Sequence, residues 1–222
     1  MSANRRNERN ALEKRIEHDA SLLSLSRTLT AMRTLEKIPA AQQRAAIRAR
    51  LLESLQETNL TVIETRIGWI GLAWTTRGLT WLQLPRATRA HARRDLQRAY
   101  PDGILRADAP AEMLRELKEY AAGRRRAFEL ALDWSTIGPF QRAVLQAASR
   151  IPFGETRSYA WIAREIGKPR ASRAVGRALA TNPIPIILPC HRVIGSDGGL
   201  HGYGGGLPMK AMLLKLEGAM LS

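Results

Sequence analysis

The sequence predicts an α+β protein in three parts: a helical N-terminal extension over 1–58, a small α+β domain over 59–137, and a mainly helical domain over 138–222. Three observations carry this. Apolar residues recur three and four apart before residue 58, change to strand-like alternation from Leu60, and return to helical spacing after Pro139. In the extension, Leu22, Leu25, Leu29 and Met32 form one stripe and Ile47, Leu51 and Leu55 a second. Ile38-Pro39 separates them, because a residue before proline avoids the helical region. This is a helical hairpin with no motif on it, read as packing structure.

The middle part reads as strands over Thr61–Ile67, Trp69–Trp74 and Leu79–Leu84. The last two join through the turn Thr75-Thr76-Arg77-Gly78. Helices are expected over 86–100 and 109–122, and a short strand over Ala127–Leu132. Trp69, Trp74, Trp81 and Trp134 read as packing residues rather than a stacking platform.

In the third part Pro139 suits a first helical turn, with Phe140, Val144, Leu145 and Ala148 on one face and Ile151-Pro152-Phe153-Gly154 as the stop. Ser158 is an N-cap for a helix to Ile166. Gly167-Lys168-Pro169 ends it, and a further helix runs from Ala171 to Ala180. Two short helices about a tight glycine-containing turn suggest a helix-turn-helix. An ordinary helical corner gives the same pattern, but residues 150–192 hold eight basic residues against two acidic ones.

Charge narrows the function. The net charge is +15, of which residues 138–222 carry +7. Such an excess favours a polyanionic partner. Arginine dominates the basic residues, and its planar fork suits phosphate contacts; a GC-rich genome would produce the same bias. No apolar run is long enough for a membrane span, and no apolar leader follows Met1, so a cytoplasmic location is expected (nuclear, where a nucleus exists). One cysteine excludes an internal disulfide and cysteine-rich metal sites. The four histidines lack ligand spacing, and neither metal nor cofactor is expected.

The chemistry concentrates in Asn182-Pro183-Ile184-Pro185-Ile186-Ile187-Leu188-Pro189-Cys190-His191-Arg192-Val193. It reads as an extended apolar run between prolines that delivers a cysteine beside a histidine, with a glycine-rich loop following over 195–206. A lone cysteine is commonly a small buried hydrophobe, and side chains adjacent in an extended segment point apart. The larger constellation changes that balance. It comprises Phe153-Gly154-Glu155-Thr156 with Ser158-Tyr159, Ser172-Arg173-Ala174-Val175-Gly176, Asn182-Pro183, Pro189-Cys190-His191-Arg192-Val193, Tyr203-Gly204-Gly205-Gly206-Leu207, and Lys210 with Leu213-Leu214 and Glu217. In this order and spacing, residues 153–217 closely resemble the C-terminal domain of the O6-alkylguanine-DNA alkyltransferases. Residues 60–137 resemble that family's N-terminal domain more weakly, through Gly68-Trp69-Ile70-Gly71. Residues 1–58 have no counterpart.

The resemblance implies a ribonuclease-H-like fold for the middle domain and a winged-helix-like one for the last. It implies stoichiometric, irreversible transfer of an alkyl group from O6 of guanine, with O4 of thymine a further possible target, in double-stranded DNA to Cys190, by a monomer without cofactor. His191 would take the thiol proton through a water, Glu217 would orient His191, and Asn182 would shape the loop. Tyr203 would protonate the leaving guanine at N3. Val193, Gly204 and Gly205 would form the base pocket, with the carbonyls of Cys190 and Val193 accepting from the exocyclic amine. Many relatives carry serine at the Gly204 position, so a side-chain contact to O6 is lost here. Arg173 would fill the stack vacated by the flipped nucleotide, Tyr159 would press on the phosphate, and Ala171, Ala174 and Gly176 would let the helix approach the minor groove. Three rivals remain open: a lesion sensor without transfer, a class that lacks the cysteine; a cysteine hydrolase; and a DNA-binding regulator with an incidental thiol.

Overall fold

The computed structural model describes residues 57–219, so the expected hairpin of the extension lies outside the described residues. Strands β1 (Asn59–Thr65), β2 (Gly68–Thr75) and β3 (Gly78–Leu82) form an antiparallel meander. A two-residue strand β4 (Ile104–Leu105), not expected from the sequence, adds parallel to β1 and completes the order β3-β2-β1-β4. Helices α1 (Arg89–Ala99) and α2 (Ala111–Ala121) lie close to the expected ranges. The side chain of Thr88 caps α1 by accepting from the His91 amide.

The strand expected over Ala127–Leu132 does not form. Only Leu132 makes a bridge, to Leu79. Beside that bridge the Ala131 carbonyl accepts from the Leu79 amide, but the start of the segment bonds side chains: Arg125 donates to the Ala127 carbonyl, and the Glu129 amide donates to buried Glu116. Residues so engaged have no ladder to join.

The second half is built from α3 (Pro139–Ser149), β5 (Arg157–Ser158), α4 (Tyr159–Glu165), α5 (Ser172–Ala180), a 3-10 turn at Cys190–Arg192, β6 (Val193–Ile194) and α6 (Leu207–Leu216). Pro139 opens α3 and the Ser158 hydroxyl caps α4, both as the sequence predicts. Helices α4 and α5 pack on each other across a turn containing Gly167 at φ +69°. The short β5 pairs parallel with β6 and anchors the segment after the cysteine.

One buried apolar cluster links the halves, from Ile70, Leu72 and Leu79 of the sheet through Leu117 and Tyr120 to Val144, Leu145, Val175 and Leu213. Each such aliphatic side chain contributes about 1.5–3 kcal/mol by leaving water. Among the described residues no helix is long and apolar enough to cross a membrane.

The edge strand β3 starts on Gly78, whose φ of +131° disfavours any side chain. A Cβ there would also run into the Ala131 carbonyl, which accepts from the Leu79 amide. Gly78→Ala should therefore destabilise the protein by more than about 1 kcal/mol, read as a lowered urea midpoint with unchanged slope.

Candidate functional site

The segment expected to be extended, 182–193, is instead a string of turns. Asn182 makes it so. Its Oδ1 accepts from the Ile184 amide at 3.0 Å, and its Nδ2 donates to the Leu188 carbonyl at 2.7 Å and to Cys190 Sγ at 3.1 Å. The Leu188 amide reaches back to the Ile184 carbonyl, and the Cys190 amide to that of Leu188. Closing the loop forces Ile186 to φ +76°, the one positive value at a non-glycine among the described residues. Such a conformation costs a β-branched residue about 1–3 kcal/mol. The buried side chains of Ile184, Ile186 and Leu188 hold the loop down against that cost. The edge strand helps, since the Leu82 amide donates to the Pro183 carbonyl at 2.9 Å.

Cys190 emerges from this loop almost enclosed, 7% exposed. Burial pushes its thiol pKa up, against the opposing hydrogen bond from Asn182. The resting group is therefore the protonated thiol. The Tyr203 hydroxyl is buried beside the sulfur without a well-formed hydrogen bond to it. Burial, and then the charge a thiolate would carry, push that phenol well above its ordinary value. It stays protonated and can act as a donor.

His191 and Glu217 meet as expected, Nε2 to Oε1 at 2.8 Å, both fully out of solvent. Burial holds His191 below its usual pKa, so the imidazole is neutral. Burial alone would raise Glu217, but donors from His191 and Arg192 outweigh it and bring the carboxyl down to about 2. An ionised carboxylate only accepts, so Nε2 must carry the histidine proton. The basic lone pair then sits on Nδ1, which is buried and meets no protein partner.

Three further residues complete the site, and sequence reasoning assigned none of them a role. Arg192 grips Glu217 through Nε to Oε2 at 2.7 Å and Nη2 to Oε1 at 3.0 Å, and donates to the Ile151 carbonyl. Tyr120 of α2 donates its hydroxyl to Oε1 at 2.8 Å. Lys210 of α6 donates to the carbonyls of Val193 and His201, at 2.7 and 3.1 Å, so it ties the strand before the glycine-rich loop to the middle of that loop. Burial lowers its pKa to about 8. Arg192 and Lys210 stood inside the quoted motifs. Tyr120 had one signal: it shares a helical face with Met113 and Leu117, where a hydroxyl must find a partner.

The base-pocket candidates are partly occupied. The Val193 carbonyl already accepts from Lys210 and that of Cys190 from the Val193 amide, leaving each a second lone pair. Gly204 is exposed, and a Cβ there would meet only the Ala180 carbonyl at 3.7 Å. Gly205 is different: a Cβ would lie 2.7 Å from Leu84 of the first half.

A groove of about 520 Å³ is lined among others by Tyr159, Ser172, Arg173, Gly176 and His201. Arg173 is exposed, while Ala171, Ala174 and Gly176 are half-buried along α5. The Tyr159 ring lies 3.8 Å from a Cβ placed on Gly176, and Lys210 sits 5.9 Å from its centroid. Its hydroxyl pKa is raised by burial and then by the charge a Cys190 thiolate would carry.

A family profile described as 6-O-methylguanine DNA methyltransferase, DNA binding domain, matches residues 139–219. The chain is 46% identical over 156 residues to a methylated-DNA–protein-cysteine methyltransferase of Methanosarcina barkeri, covering 70% of this chain and 94% of that one. It is 51% identical over 108 residues to the constitutive enzyme of that name from Bacillus subtilis, covering 48% and 65%. Its fold is similar to that of Mycobacterium tuberculosis OGT solved in complex with DNA, with a TM-score of 0.62 and 41% identity over 72% of this chain and 93% of that one.

The Glu217 pKa falls from an ordinary 4.5 to about 2 on folding. A depressed carboxyl stabilises the fold fully above its unfolded pKa, and the contribution is lost as pH falls through the folded one. The wild-type unfolding free energy should therefore drop across pH 4.5 to 2. Glu217→Gln should be less stable at neutral pH by about 3–5 kcal/mol, with Arg192 left buried and unpaired, and should show a smaller acid-dependent drop in a urea titration series.

Proposed function

The chain belongs to the methylated-DNA–protein-cysteine methyltransferase family, and from that membership we propose that it repairs double-stranded DNA by moving an alkyl group from O6 of guanine onto its own Cys190. The observation that carries the reading is the enclosed thiol hydrogen-bonded by Asn182 and adjoining a neutral, carboxylate-held histidine. The sulfur attacks the alkyl carbon, an S–C bond forms as the C–O6 bond breaks, and the electron pair leaves with the purine. The thiol proton passes through a water to Nδ1 of His191, Tyr203 gives a proton to N3 of the departing guanine, and the proton held on His191 is returned through water to Tyr203, so guanine and a thioether are the products. Glu217 holds Nε2–H and so keeps the lone pair on Nδ1.

The alkylated base reaches the thiol by leaving the duplex stack, which costs a few kcal/mol. Arg173 takes its place in the stack and Tyr159 presses on the neighbouring phosphate, with Ala171, Ala174 and Gly176 allowing α5 close approach to the minor groove. Val193, Gly204 and Gly205 bound the receiving pocket. A thioether has no easy reverse route, so each molecule reacts once. The protein acts as a cytoplasmic monomer, and O4 of thymine is a second candidate target.

Two tests follow from these roles. Cys190→Ala should abolish transfer of labelled methyl from DNA to protein while duplex affinity survives; methyl transfer by this variant overturns the assignment. Arg173→Ala should slow repair of duplex DNA by on the order of tenfold or more, and leave reaction with free O6-benzylguanine nearly unchanged, because the free base needs no flipping. Equal losses on both substrates would remove Arg173 from the flipping role.

A further inference from the structure

Tyr120 stands 97 residues from Glu217 in sequence, on a helix of the first half, and contributes nothing to the groove. We propose that it is a positioning residue for alkyl transfer, its hydroxyl holding the Glu217 carboxylate in the orientation from which that carboxylate presents His191 to the thiol. The assignment rests on the alkyl-transfer reading above.

Geometry supports it. Oε1 of Glu217 accepts three hydrogen bonds, from His191 Nε2 at 2.8 Å, Tyr120 Oη at 2.8 Å and Arg192 Nη2 at 3.0 Å, whereas Oε2 accepts from Arg192 Nε at 2.7 Å. Arg192 fixes the plane of the carboxylate through its two-point grip. The remaining lone-pair direction on Oε1, the oxygen that holds the histidine, is governed by Tyr120. The ring itself has little freedom: it is 1% exposed, 5.3 Å between centroids from Phe128 and 6.4 Å from Phe153. Its phenol is kept protonated by burial and by the facing Glu217 charge, so it donates at any working pH. Catalytic geometry tolerates little displacement, and a remote change of about 1 Å can cost on the order of a hundredfold in rate.

A tyrosine that merely fills the core predicts something else. Its loss would lower the melting temperature and leave the folded protein's chemistry alone. The test is Tyr120→Phe in the full chain, which removes one oxygen and keeps the ring contacts, assayed at a temperature where circular dichroism shows the variant folded. The single-turnover rate constant at saturating substrate should fall about tenfold or more, equally for methylated duplex and for free O6-benzylguanine, with duplex affinity unchanged. In a Glu217→Gln background the same substitution should have no further effect on rate, since coupled residues are not additive. 3-Fluorotyrosine at position 120, which keeps ring and donor, should retain the wild-type rate. A folded Tyr120→Phe protein reacting at the wild-type rate overturns the proposal, and so does a full-sized loss that persists in the Glu217→Gln background. Failure of the wild-type protein to take methyl from DNA would overturn the alkyl-transfer reading instead.

Discussion

A single buried negative charge organises this molecule. The Glu217 carboxylate lies out of solvent, where an unpaired ion would cost several kcal/mol. Its pairing recruits residues from separate regions: Arg192 and His191 from the turn after the cysteine, Tyr120 from α2, and through Arg192 the Ile151 carbonyl at the end of α3. None of these groups can move far without exposing the charge. The turn that presents the thiol is thereby fixed to the C-terminus of α6 and to both halves of the chain.

The two halves divide the work unevenly. The second supplies the thiol, the histidine, the groove and the basic helix α5. The first supplies support at three places: Leu82 bonds the Pro183 carbonyl, Leu84 packs against Gly205, and Tyr120 reaches Glu217. Two of these contacts fall on loops of the second half, where backbone without regular hydrogen bonding most needs an external reference, and the third falls on the C-cap of α6. Sheet and helix here act as a rigid backing for irregular chain.

Much of this was legible in the sequence. Helix starts at Pro139 and Ser158 follow from local chemistry, so a single residue sufficed to place them. The cysteine, histidine and glutamate were named from a motif, and of these the histidine and glutamate do meet. What failed was long-range or side-chain-directed. The apolar run after Asn182 looked extended because its prolines and isoleucines favour that state; the Asn182 side chain, bonding two, six and eight residues ahead, bends it instead. Residues 127–129 alternate like a strand yet give hydrogen bonds to Arg125 and Glu116. Strand β4 is two residues long, too short for any periodicity to register. Arg192 and Lys210 read as surface cations by type, and only their partners reveal why they are buried.

The enclosure of Cys190 bears on how long the protein keeps before use. A reagent consumed in one reaction must wait intact, sometimes for most of its lifetime. Oxidants attack the exposed thiolate form of cysteine and carry it toward sulfenic and sulfinic acids. Here the sulfur is buried, protonated at rest, and without a second cysteine in the chain to form a disulfide. The same burial that makes the thiol a poor nucleophile in the absence of its target gives it a shelf life, with reactivity withheld until a base is in place beside it.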